Sequence, residues 1–354
     1  MIYLVLCFFC TLYMYTIQRY KINFIILLPP FIAYFLLSSL QFNVGSDYFS
    51  YIHIYENQWV MDKYFNSREY FFYYANLILN YFNFPSQSIF FVFSFVQSFF
   101  TFYYFKEIKK RGFIIWLLFF IFFTVTNILH NQMNGIRQYA ALTLLPMISI
   151  FLYEKKYYKF IISVFLATCF HSTALIFLGL IAFSFIHRYK FRHYFSIFII
   201  SIPFYLLIAV YTPTILESLG LRFTSYIGSK YFEEGNYITI VTKMYYLPVL
   251  LFFYYLYKKN NGNNYESSYF SFVILIFSFT YWSFLMSLDI AILSRISSYF
   301  WFFIIFPLYY VGIYFSKRGS ASICFYILYI SAPYFAKVTF LAKNEFIYRS
   351  IIFN

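Results

Sequence analysis

The chain is expected to be an all-α polytopic membrane protein, and three observations predict that class. Apolar runs of about 17–20 residues recur from one end of the sequence to the other, the length a helix needs to cross the hydrocarbon layer. Hydrophobic residues make up 62% of the 354 positions and charged residues 11%, so no stretch has the composition of a soluble domain. The runs are continuous where the strands of a membrane barrel would alternate, which argues against a β-barrel. The pattern predicts one transmembrane domain over 1–354, with about 12 transmembrane or re-entrant helices and two larger outer loops, near 41–69 and 212–242.

The first span covers 1–17. Met1-Ile2-Tyr3 enters it at once, without a basic leader or a small-residue cleavage site, so the segment is expected to be retained. Gln18-Arg19-Tyr20-Lys21 follows, then a second span at 22–40. After the polar segment 41–69, the short and mixed stretch 70–84 reads as an interfacial or re-entrant helix. A span at 88–105 ends in Lys106-Glu107-Ile108-Lys109-Lys110-Arg111; 113–129 returns to the loop 130–136, and 139–153 crosses again. The run 160–186 is too long for one untilted span and too short for two comfortable ones. Basic clusters flank both its ends, so it reads as a tight hairpin of short helices with His171 near the tip. Segments 194–211, 244–257, 269–286, 296–315 and 321–335 complete the set, with both termini outside.

The formal charge of +14 does not suggest nucleic acid, because the basic residues sit in short clusters between hydrophobic runs and act as topology signals. Arg19/Lys21, 106–111, 155–159, 188–192, Lys258/Lys259 and Lys317/Arg318 hold 16 of the 26 basic residues in the short inner loops. Only Glu107, Glu154 and Glu266 of the 12 acids accompany them. On this topology Asp47, Arg137, His171, Arg222 and Arg295 all fall on the outer face.

Ionic residues set against membrane-type sequence cost roughly 2–3 kcal/mol or more each, so they usually face a cavity and serve a purpose. The stretch 132–179 concentrates them, and an extracytoplasmic site for a lipid diphosphate is the expected use. Arg137 follows Asn134-Gly135 at the start of a span; it either snorkels or offers phosphate a bidentate fork, with Asn134 and Gln138 as neutral donors. His171 is either a satisfied structural histidine or a general base, and Ser172 and Thr173 are expected to cap the returning helix. Val44-Gly45-Ser46-Asp47, with Tyr51 one turn on, makes a tight turn in which Asp47 caps the next helix, orients a sugar hydroxyl, or pairs with an arginine across the site. In the second outer loop Arg222 and Tyr226 share a helical face, which suits carbohydrate or an ordinary solvated loop. Arg295, with Tyr299 at i+4, repeats the placement of Arg137; Asp289 is close enough to pair with it instead.

No DxD pair, P-loop, HExxH or Cys/His cluster is present, so neither a metal nor a cofactor is expected. Cys7 and Cys10 have CxxC spacing but are expected in a lipid-facing helix without further ligands.

Val44-Gly45-Ser46-Asp47, Asn134-Gly135-Ile136-Arg137-Gln138 with Ala140, Leu166-Ala167 before Phe170-His171-Ser172-Thr173-Ala174, and Arg295 with Tyr299 together resemble the EpsG-like branch of the Wzy-type O-antigen and exopolysaccharide polymerases. The resemblance covers roughly 42–307 and rests on the order and spacing of these motifs. It implies a multi-pass glycosyltransferase of the bacterial inner membrane with its active site facing the periplasm. Such an enzyme moves a growing glycan from undecaprenyl diphosphate to a lipid-linked repeat unit, using undecaprenyl-diphosphate-linked oligosaccharides and membrane lipid, with a chain-length regulator protein as a candidate partner. In that setting Arg137 and Arg295, with Arg222, hold the diphosphate, and His171 or Asp47 accepts the hydroxyl proton. The rival readings are an O-antigen ligase and a flippase or transporter of the same lipid-linked oligosaccharides.

Overall fold

The computed structural model describes residues 1–188, 201–203, 206–207, 210–211, 213–214, 217, 237–259, 269–286, 298–342 and 346–352. The elements among them are helices, apart from an isolated antiparallel bridge between Gln41 and Ser350. Two compact units are present, Met1–Leu178 with Ile327–Asn354, and Gly179–Tyr326.

The first unit contains α1 (Ile2–Thr16), α2 (Leu28–Ser39), α3 (Tyr48–Glu56), α4 (Gln58–Asn66), α5 (Tyr70–Tyr81), α6 (Ser88–Lys110), α7 (Ile115–Thr126), α8 (Ile128–Asn134), α9 (Ile136–Tyr153) and α10 (Tyr157–Phe170). Its hub is α9, which packs on α6, α8 and α10. Apolar or small residues surround α9 on nearly every side, and 72% of it is buried. The stretch that begins with α1 is only 33% buried and packs on α2 and α7 at the periphery. Cys7 and Cys10, expected to face lipid, are instead buried, with the Cys10 thiol 3.8 Å from the carbonyl of Pro30. Val5, Phe8 and Leu12 hold the exposed side of α1, because a small side chain lets α2 approach where a large one would not.

In the second unit, α11 (Leu180–Arg188), α12 (Tyr237–Met244), α13 (Leu247–Lys259), α14 (Tyr269–Met286) and α15 (Ile305–Ser316) are accompanied by a 3-10 helix, Tyr299–Ile304, that runs into α15. There α14 packs on α11 and on the 3-10 turn, and α13 packs on α15. The last helix, α16 (Ser320–Thr339), starts in this unit and ends in the first.

Among the described residues five helices are long and apolar enough to cross a membrane: Ile2–Arg19, α6, α9, Tyr299–Ser316 and α16. The pair α7–α8, bent by 51°, would make six. Long helices among the described residues therefore do not account for about 12 crossings. Where the second span was expected stands α2, of 12 residues, and the run 160–186, expected to be a hairpin of short helices, holds α10, of 14 residues, the 3-10 helix Ser172–Gly179 and α11, with His171 at the break after α10. Most of 194–211 and of the loop 212–242 lies outside the described residues.

Polar groups gather at both ends of α9. At its C-terminal end Arg111 pairs with Glu154 and donates to the Glu107 carbonyl at 2.7 Å, while Lys156 meets Glu154 at 2.6 Å. Lys109 donates to the carbonyl of Gln18, whose side-chain oxygen accepts the Ile115 N–H at 2.9 Å. Three basic segments expected to share the inner side thus meet in space. The other end carries Arg137, about 25 Å away along the axis at 1.5 Å per residue, close to the ~30 Å thickness of a hydrocarbon layer. The tail near Ser350 joins the start of the first polar segment, with Phe42 N–H donating to Arg349 at 2.9 Å and Ile351 N–H to Leu40 at 3.0 Å.

Candidate functional site

The site is assembled where three helices break. Helix α4 ends in a Schellman turn: Arg68, in the left-handed region at φ +62°, donates its N–H to the Phe65 carbonyl at 3.0 Å, and Glu69 N–H reaches back to Tyr64 at 3.0 Å. The reversal leaves the Arg68 side chain exposed and turns Glu69 inward as the residue preceding α5, with 2% of its side chain accessible. Helix α8 ends at Gly135, and the Gln97 amide on α6 spans the break by donating to Ile136 at 2.8 Å. Arg137 therefore stands in the first turn of α9. Helix α10 ends at Phe170, and His171 takes extended backbone, φ −153° and ψ 123°, before a 3-10 helix, Ser172–Gly179.

Both Arg137 and His171 converge on Glu69. Arg137 Nη1 pairs with its Oε2, and His171 Nδ1 lies 3.2 Å from its Oε1. The guanidinium is walled in by rings, its carbon 4.5 Å from the centroid of Tyr64, 5.0 Å from Phe72 and 5.7 Å from Tyr51. Thr173 Oγ1 stands 3.4 Å from His171 Nδ1. Burial would raise the Glu69 carboxyl above its ordinary value. The Arg137 charge and the His171 hydrogen bond outweigh that and bring it down to about 2, so the group is ionised at neutral pH.

The turn at Val44–Asp47 packs directly on this assembly. Asn134 Oδ1 accepts the Asp47 N–H at 2.9 Å and the Ser46 hydroxyl at 3.4 Å. Gly45 adopts φ +82°, and a Cβ there would fall 2.5 Å from the same oxygen, so glycine is required twice over. Asp47 precedes α3 without a capping side-chain bond, contrary to expectation, because its φ −95°, ψ −4° backbone lies in the αR region and not in the extended region a capping side chain needs. Its exposed carboxylate accepts from Ser46 at 3.1 Å, and the carboxylate that meets Arg137 is Glu69.

The structure thus brings Arg137, His171, Tyr51 and Asn134 together, with Asp47 joined through Asn134 and Gln138 partly exposed beside Arg137. Tyr299 is buried at the start of the 3-10 turn of the second unit. Arg222, Tyr226, Asp289 and Arg295 lie outside the described residues. Glu69 is the residue the sequence reading missed. The available signal was an acid directly before the uncharged run 70–81, at the junction of polar and apolar sequence.

A family model described as the EpsG family matches residues 23–350, which includes every group just placed. The chain belongs to the EpsG family. No curated protein and no solved structure matches it. EpsG membership and the apolar helices together make this a membrane protein of polysaccharide biosynthesis. Within the EpsG match, residues 44–47, 134–137 and 170–173, which carried part of the sequence resemblance, sit at the turn and helix breaks just described, whereas Ala140 lies inside α9 and Leu166 and Ala167 inside α10.

Proposed function

We propose that this EpsG-family protein is a polymerase of polyprenyl-diphosphate-linked oligosaccharides, acting at the periplasmic face of the bacterial inner membrane without a metal. The observation that carries the reading is the meeting of Arg137 and His171 on the buried carboxylate of Glu69, at the polar end of α9 opposite the basic clusters. By the positive-inside rule the basic end is cytoplasmic, which puts the Glu69 end outside.

In the reaction the acceptor sugar hydroxyl attacks the anomeric carbon of the donor glycan. A carbon–oxygen bond forms there, the bond from that carbon to the lipid diphosphate breaks, and the diphosphate leaves with the electron pair. His171 Nε2 takes the hydroxyl proton. Charge building on the diphosphate is met by Arg137, 16% of whose side chain is accessible. Two lipid-tethered reactants held at one site also gain proximity, worth several kcal/mol. A further support is an apolar groove of about 490 Å³ between α5, α6 and α10. Tyr70 and Cys169 line it, neighbours in sequence of Glu69 and His171, so a hydrocarbon chain has a place beside the charged headgroup.

The test supplies purified protein in detergent with lipid-linked repeat units and nothing else. A ladder of longer glycans is expected, and its loss in Arg137→Ala and His171→Gln. A ligase would leave the units unextended for want of its own acceptor, and a transporter has no membrane to work across. An unextended substrate with folded protein therefore sinks the reading.

A further inference from the structure

We infer that Glu69 is a positioning residue that keeps the proton of His171 on Nδ1, so that Nε2 is the nitrogen left to accept one. The inference rests on reading His171 as the base. An ionised carboxylate only accepts hydrogen bonds and a guanidinium only donates them. Arg137 occupies Oε2, and the remaining oxygen faces His171 Nδ1 at 3.2 Å, a contact that requires a hydrogen on that nitrogen. Nε2 then carries the lone pair. It has no hydrogen-bond partner among the described residues, and 20% of the His171 side chain is accessible, against 2% for Glu69. Glu69 is too enclosed to touch a sugar and acts through the imidazole. When Nε2 takes the acceptor proton, the ring becomes imidazolium with its other N–H already on a carboxylate, which stabilises the charge. The proton passes to water once product leaves.

The experiment reads the tautomer and the rate separately. Protein with ¹⁵N-labelled histidine is studied at mildly alkaline pH, and the His171 signals are identified by their loss in His171→Gln. The wild type is expected to show hydrogen on Nδ1. In Glu69→Gln, Arg137 still only donates, so the amide oxygen turns to it and the amide NH₂ faces Nδ1. That nitrogen must then accept, and the proton moves to Nε2. Elongation should fall by about 10²–10⁴-fold with the switch, and Glu69→Asp should recover part of the rate with the Nδ1–H form. Hydrogen on Nε2 in the wild type overturns the inference, and that spectrum needs no Glu69 variant to fold. A Glu69→Gln protein that keeps the Nδ1–H form, active or not, overturns it as well. Full activity in His171→Gln sinks the base reading instead, so the two failures are distinct.

Discussion

Glu69 and Arg137 stand 68 positions apart in the chain, yet each makes the other tolerable in a setting that would otherwise expel both. Such a pair adds little over apolar residues of the same volume, but removing one partner strands a charge, at a cost of about 3–5 kcal/mol. Glu69→Ala should therefore unfold markedly more easily in detergent than the wild type, and adding Arg137→Met should restore much of the loss. Equal melting of the single and double variants would deny the coupling. The same pair sets an acid limit. The Glu69 carboxyl sits at about 2 in the fold against an ordinary 4.5, so the unfolded chain binds its proton first. Its contribution, on the order of 3 kcal/mol, is complete above the unfolded value and is lost as pH falls through the folded one. Denaturant midpoints measured down this range should drop more steeply for the wild type than for Glu69→Gln; parallel curves would contradict the assignment.

The devices that aim these side chains are turns. Gly45 holds a left-handed backbone against Asn134, and Gly45→Ala meets both a strained φ and a Cβ–oxygen overlap, for roughly 1–3 kcal/mol. Adding Asn134→Gly should relieve only the overlap, and thermal melts of the two proteins separate those contributions. Arg68 occupies the left-handed position that usually falls to glycine at a helix end. Arg68→Gly should be neutral to about 1 kcal/mol stabilising with polymer output intact, whereas Arg68→Val, β-branched at φ +62°, should destabilise and swing Glu69 out of place. A stable, active Arg68→Val protein would show that the turn does not position the carboxylate. None of this geometry has a sequence period, which explains what the sequence left unread: α9 and its break before Arg137 were legible from apolar length and Asn134-Gly135, but the inward turn at Glu69 was not.

Across the whole of the first unit, the consequence is a set of helices that is ionic at the two ends of α9 and apolar between them. With Cys7, Cys10, Cys169 and Cys324 replaced, a cysteine at position 171 should react with a membrane-impermeant thiol reagent from outside intact cells. One at position 156, in the Arg111–Glu154 cluster, should react only after permeabilisation. The reverse pattern would invert the topology and remove the periplasmic reading.

Hydropathy and charge spacing were enough to establish the helical membrane class and the five long apolar helices among the described residues, and to single out Arg137 and His171 as candidates. They suffice because burial in lipid is a local property of length and composition, written residue by residue. That one carboxylate from the first polar segment would bind both of those groups, that Cys7 and Cys10 would face inward, and that Asp47 would leave its cap unmade arose only when distant breaks were packed together. Pairing in a low-dielectric interior depends on where side chains meet in space, and separation along the chain carries no record of that.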